Sequence, residues 1–100
     1  MLEFSQIVGF DWDDGNSLKS AEKYSVSQAE AEQIFTDSRV LIANDVKHSQ
    51  GETRSHAFGR TSDGRLLHVT FTLRDNRTRI RVISARDMNR KERKIYEQES

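Results

Sequence analysis

The segment Leu66-Leu67-His68-Val69-Thr70-Phe71-Thr72-Leu73, the turn signal Asp75-Asn76 and the segment Thr78-Arg79-Ile80-Arg81-Val82-Ile83-Ser84 decide the fold of this 100-residue chain. In the first segment Leu67, Val69, Phe71 and Leu73 recur at every second position, the period of a strand with one buried face. Leu66, His68, Thr70 and Thr72 are left for the other face. The second segment alternates too, with Ile80, Val82 and Ser84 on one side and Arg79, Arg81 and Ile83 on the other. A short polar link joins the two, so they form an antiparallel hairpin. Upstream, Ser55 to Arg60 and Val40 to Asn44 have strand length and β-branched or aromatic content, and Asp63-Gly64 marks another turn. The hairpin therefore extends to an antiparallel four-stranded meander.

Helices frame the sheet. Ser27-Gln28-Ala29-Glu30 is a capping box, in which the serine hydroxyl takes an amide proton three residues on and the glutamate reaches back. It predicts a helix from Gln28 to about Thr36 that buries Ala31, Ile34 and Phe35. Before it, Trp12-Asp13 precedes a segment to about Tyr24 in which Leu18, Ala21 and Tyr24 share a face, with Asp13 and Asn16 available as caps. Asn89-Arg90-Lys91-Glu92 repeats the capping pattern and predicts a last helix to about Glu97, with Ile95 as its apolar anchor. Gly59 inside a strand predicts a bulge or a close backbone approach, and Gly64 a turn with positive φ. The expected architecture is α+β: helices on one face of an antiparallel four-stranded sheet with a C-terminal helix, in one domain over residues 1–100. Trp12, at a helix entry, is expected to anchor the core.

Composition excludes several functions. The chain has no cysteine and no proline, with 34% apolar residues. Disulfide frameworks, thiolate zinc sites and cysteine nucleophiles are ruled out. The longest glycine-free apolar run, Val40 to Ala43, falls far below the roughly 20 residues of a membrane span, and the start has no secretory pattern. A soluble cytoplasmic protein is expected, with no membrane contact. His48, His56 and His68 lack metal-ligand spacing, and Asp11, Asp13 and Asp14 read first as helix-start charges, so neither metal nor other cofactor is expected. There is no GxxxxGK[ST] and no GxSxG.

The zero net charge conceals an asymmetry. Residues 1–50 hold 4 Lys/Arg against 9 Asp/Glu and residues 51–100 hold 12 against 7, giving −5 and +5. Arginine supplies 10 of those 12 cations. Guanidinium is always charged and its planar fork matches phosphate oxygens. The same asymmetry would arise if the basic half paired with the acidic half of its own domain. Strand parity places Arg79 and Arg81 on the open face with His68 and Thr70, although such faces are generally polar whatever their function.

Cleavage at a phosphate without a metal, a chemistry such cations suit, needs a group to take the nucleophile's proton, cations for the charge developing on phosphate, and an acid for the leaving oxygen. Arg79 and Arg81 are the first candidates for the cations, with Arg86 beyond the strand and Arg65 beside the hairpin as further ones. His68 on the open face, His48 in the polar loop, and Glu52 are candidates for proton transfer; His56, on a strand of ambiguous parity, carries least weight. For a surface carboxylate such as Glu52 a salt bridge, here with Arg54, is the commoner role. The basic last helix, with Arg90, Lys91 and Lys94, suits RNA backbone contact, an acidic partner, or plain solvation.

Phe10-Asp11-Trp12-Asp13, Gly15-Asn16 and Lys23, then Glu30-Ala31-Glu32 with Ile34-Phe35, Lys47-His48-Ser49, Glu52-Thr53-Arg54, Gly64-Arg65-Leu66-Leu67, Ile80-Arg81-Val82-Ile83-Ser84-Ala85-Arg86, Arg90-Lys91-Glu92-Arg93 and Tyr96 resemble, in order, the pattern of the BrnT-type toxins. One departure is Lys23-Tyr24-Ser25-Val26, where that family usually reads Lys-His-Gly-Val. The resemblance implies a RelE-like fold and a ribonuclease that arrests translation. It further implies neutralisation by a cognate ribbon-helix-helix antitoxin and a possible homodimer within the toxin-antitoxin complex. A non-catalytic RNA-binding or antitoxin-binding module of the same fold is the alternative.

Overall fold

The computed structural model describes residues 6–13, 15, 21–45 and 53–99. Within them run β1 (Gly9–Phe10), α1 (Gln28–Thr36), β2 (Leu41–Asp45), β3 (Arg54–Arg60), β4 (Leu66–Arg74), β5 (Arg79–Asp87) and α2 (Arg90–Glu99). Residues 21–24 are also helical, so the first predicted helix ends at Tyr24; Asn16 and Leu18 lie outside the described residues, and Ala21 is exposed rather than on a buried face.

Strands β2 to β5 form the expected antiparallel meander, but the sheet has five strands in the order β1-β5-β4-β3-β2, not four. The addition is β1, parallel to β5 through Gly9↔Arg79 and Phe10↔Ile80. Two residues have no period from which a strand could be read. Docking creates the pairing: the Val8 amide donates to the Thr78 carbonyl at 2.7 Å and the Asp11 amide to Ile80 at 2.8 Å, while Phe10 meets the ring of Phe35 edge-on at 5.6 Å.

The core lies between α1 and one sheet face. Val26, Ala31 and Ile34 pack with Ala57, Leu67, Val69, Phe71, Ile80, Val82 and Ala85. The capping box forms as read: the Glu30 amide donates to Ser27 Oγ at 3.1 Å and the Ser27 amide donates back to Glu30 Oε1 at 3.1 Å. At Gly59 the sheet backbone comes close to α1. A Cβ there would stand 2.8 Å from Ile34 Cβ. Trp12 is half-buried against this core, and its Nε1 donates to Glu32 at 2.7 Å.

Two features depart from simple alternation. Phe71 pairs with Val82 but Thr70 pairs with Ser84, which leaves Ile83 as one extra residue in β5. That bulge reverses the parity of everything after it, so Ser84 joins the open face and Ala85 the core. In α2, Ile95 is 49% exposed and Tyr96 is buried. Tyr96 replaces Ile95 as the anchor because its hydroxyl donates to Asp37 Oδ2 at 2.9 Å.

Candidate functional site

The face of the sheet opposite α1 is organised in rungs set by register. Phe58, His68 and Arg86 form one rung across β3, β4 and β5; His56, Thr70 and Ser84 form the next; Arg54, Thr72 and Arg81 the one beyond. The predicted neighbourhood of Arg79 and Arg81 with His68 is therefore corrected. The bulge at Ile83 puts Arg86 opposite His68, moves Arg81 to the Thr72 rung, and leaves Arg79 opposite Arg74 at the strand end. Thr72, expected on the open surface, is buried and donates its hydroxyl proton to the Thr53 carbonyl at 2.7 Å.

Across this face runs a continuous chain of polar contacts. His56 Nε2 lies 2.9 Å from Asp45 Oδ2, and His56 Nδ1 lies 2.8 Å from His68 Nε2 and 3.1 Å from Thr70 Oγ1. His68 Nδ1 lies 3.4 Å from Glu92 Oε2. Glu92 in turn accepts both arms of the Arg86 fork at 2.9 Å each. It reaches this position from the first turn of α2, where it also completes a capping box: the Asn89 amide donates to Glu92 Oε1 at 3.0 Å and the Glu92 amide to Asn89 Oδ1 at 2.8 Å. The Phe58 ring stacks on His68 at 4.6 Å and 12°. Burial, followed by the Arg86 charge, pushes the His68 pKa down to about 4, so this ring is neutral at pH 7. Burial works against the Glu92 carboxylate, but the Arg86 fork and the Asn89 amide hold its pKa below the usual value.

Each predicted phosphate-binding arginine on the sheet already has carboxylate partners. Arg81 Nη2 donates to Asp13 Oδ2 at 2.8 Å, with Asp11 at 3.7 Å. Arg79 Nε lies 3.2 Å from Asp75. Arg65 donates from Nε and Nη2 to the two oxygens of Asp87 at 2.7 and 3.0 Å, from Nη1 to Glu30 Oε2 at 3.1 Å and the Ser25 carbonyl at 2.8 Å, and from Nη2 to the Tyr24 carbonyl at 3.1 Å. It ties the end of the first helical segment, α1 and the end of β5 to one guanidinium. Arg90, Lys91 and Lys94 are exposed on α2. His48 and Glu52 lie outside the described residues.

Sequence reasoning gave His56 little weight and did not single out Asp45 or the inward reach of Glu92. The capping signal at Glu92 was visible, but that the same carboxylate meets two strands follows only from register and helix placement. Among the described residues no group of three or more His, Asp or Glu is placed to hold a metal ion. No helix among them is long and apolar enough to cross a membrane.

A family model described as "Ribonuclease toxin, BrnT, of type II toxin-antitoxin system" matches residues 12–92. The crystal structure of the Brucella abortus ribonuclease toxin, BrnT, is similar in fold, with a TM-score of 0.57 over 83% of this chain and 99% of that chain at 18% sequence identity. No curated protein matches the chain.

Proposed function

Because the chain belongs to the BrnT family of type II toxin-antitoxin ribonuclease toxins, we propose that it is a metal-independent endoribonuclease that cuts RNA to arrest translation. In this reading a cognate antitoxin of the ribbon-helix-helix type holds it inactive in the cytoplasm, and the complex contains a second copy of the toxin. The match over residues 12–92 is the observation that carries the reading.

The proposed chemistry is attack of the ribose 2′-oxygen on the neighbouring phosphorus. The new O–P bond forms as the bond to the 5′-oxygen breaks, leaving a 2′,3′-cyclic phosphate and a 5′-hydroxyl. Arg81 and Arg86 on the open sheet face are proposed to meet the phosphate as charge develops on it, with Arg79 beside them at the end of β5. Arg90, Lys91 and Lys94 are proposed to draw in the RNA backbone. His68 Nε2 is taken up by His56 and its Nδ1 is buried without a hydrogen-bond partner, so His48 and Glu52 are proposed as the groups that take and return the proton. Arg65 is better supported as a structural clamp.

The test is incubation of antitoxin-free protein with mixed RNA in EDTA, beside the Arg81→Ala variant, with 5′ ends mapped. Discrete cuts that weaken in a folded variant are expected; cuts of undiminished rate would remove Arg81 from the site. A second reading, a non-catalytic module that binds RNA or antitoxin, is favoured by the prior pairing of Arg65, Arg81 and Arg86 with carboxylates. It predicts salt-dependent binding without new RNA ends, on naked RNA and on translating ribosomes alike.

A further inference from the structure

The turn between β4 and β5 gathers like charge. Register sets Arg74 directly opposite Arg79, and like charges in that relation repel. Arg77 stands between them in the turn, and all three are exposed. Residues 74–79 hold three arginines and one acid, Asp75, so +3 and −1 leave the tip at +2. Asp75 lies 3.2 Å from Arg79 Nε, and one carboxylate within the turn does not balance three guanidinium groups.

The backbone makes the same point. Asp75, Asn76 and Arg77 hold φ of +52°, +59° and +70°. Asp and Asn tolerate this left-handed conformation through their short polar side chains, whereas arginine has no such compensation and glycine is the less strained residue. The Thr78 amide donates to the carbonyls of Arg74 and Asp75 at 3.1 and 3.2 Å, and its hydroxyl donates to Asp75 at 2.7 Å. The turn is therefore closed, and it presents Arg77 from a fixed backbone.

From this tip β5 leads to the cations already described. Arg79, Arg81 and Arg86 lie along it, and the exposed Arg90, Lys91 and Lys94 follow on α2. At about 3.3 Å per residue, Arg79 and Arg86 stand roughly 20 Å apart. An extended row of cations matches the regular charge of a single nucleic-acid strand rather than one isolated anion.

We propose that the β4–β5 tip is a second contact for the RNA backbone, in which Arg74 and Arg77 hold phosphates remote from the cleaved bond and a single strand lies along β5 from the tip to α2. That this strand is also the substrate rests on the nuclease reading; the contact at the tip is read by binding alone.

The test uses an unstructured 2′-O-methyl RNA, which has no 2′-hydroxyl to attack, of about twelve nucleotides, long enough to cover β5 at roughly 3.4 Å per stacked nucleotide. Its affinity for the full chain is followed against salt for the parent, Arg77→Gly, Arg74→Gln and Arg39→Gln. Arg77→Gly removes the guanidinium where glycine is the favoured residue, so the fold is kept. Each tip variant should lower the slope of log K against log salt by about 0.7, the share of one phosphate contact on a single strand. Arg39→Gln removes an exposed cation beside β2, at the opposite edge of the sheet, and should keep the parent's slope. An unchanged slope in either tip variant overturns the contact. An equal fall for Arg39→Gln overturns the path along β5, because bulk charge would then suffice. If the tip variants lose binding to polyglutamate while keeping the slope on RNA, the tip serves an acidic protein segment and the proposal falls. If binding depends on the tip as expected but the parent cuts no natural RNA, free or on translating ribosomes, the nuclease reading falls while the tip contact stands.

Discussion

Arg65→Met should unfold the chain far more readily and, under the nuclease reading, leave RNA binding in place. Methionine keeps most of the apolar stem and deletes only the guanidinium, which binds the carboxylates of Asp87 and Glu30 and the carbonyls of Ser25 and Tyr24. The Asp87 side chain is 61% exposed, so its ion pair is screened and contributes at most about 1 kcal/mol. The less exposed pair with Glu30 and the two carbonyl contacts add about 0.5–1 kcal/mol each. The sum is about 2–3 kcal/mol, or about 10–20 °C in Tm for a domain of this size. Urea unfolding followed by Trp12 fluorescence measures it, with the midpoint falling and the slope m unchanged. The pH dependence carries a second signature. Hydrogen bonds from Arg65 hold the Asp87 pKa below its ordinary value, and the Ser27 amide, then Arg65, do the same for Glu30. A carboxylate with a lowered folded pKa stabilises the fold above its unfolded value, about 4, and loses that contribution as pH falls through the folded value. The parent should therefore lose stability more steeply than the variant below about pH 4. An unchanged midpoint together with a large loss of RNA affinity would refute the clamp and return Arg65 to the phosphate-binding set.

Ser25 holds φ of +56°, so Ser25→Gly, which restores the glycine of the family pattern and keeps the carbonyl bound by Arg65, should stabilise by about 0.5–1 kcal/mol after the entropy of the unfolded glycine is counted; a lower urea midpoint would contradict the left-handed assignment. Gly59→Ala drives a methyl group against Ile34 and should cost about 1–3 kcal/mol, read by the same assay. Arg81→Ala should cost under about 1 kcal/mol, because its Asp13 partner is largely exposed. A larger loss of stability would make its expected loss of cleavage a folding effect.

Local chemistry was readable where one segment specifies its own structure. The Ser27–Glu30 and Asn89–Glu92 capping boxes, the buried alternation of Leu67, Val69 and Phe71, and the close approach at Gly59 each depend on residues near in sequence or on a missing side chain. What was misread depends on residues far apart. The bulge at Ile83 follows from how β5 lies on β4; no single residue of β5 announces it, and it exchanges Arg81 for Arg86 as the neighbour of His68. The choice between Ile95 and Tyr96 as the anchor of α2 turns on Asp37, on the other side of the sheet in sequence. Strand β1 exists only because β5 offers it an edge.

The charge asymmetry of the two halves is resolved by the same long-range pairing, and that sets terms for any nucleic-acid contact. Arg81 joins Asp13, and Arg65 joins Glu30, across the halves; Arg86 and Glu92 pair within the basic one. A phosphate arriving at Arg81 or Arg86 must exchange one oxyanion partner for another, so what it gains is a difference between two charge-assisted contacts rather than a whole one. Arg90, Lys91 and Lys94 are exposed on α2, and phosphate contacts there displace mainly solvent and counterions. Under the nuclease reading, attraction and selectivity are thus separated: α2 supplies the salt-dependent pull that brings RNA in, and the sheet arginines respond only to a phosphate placed well enough to outbid a carboxylate. The carboxylate of Glu92 then acts as a threshold, since a loosely seated phosphate leaves the Arg86 fork closed.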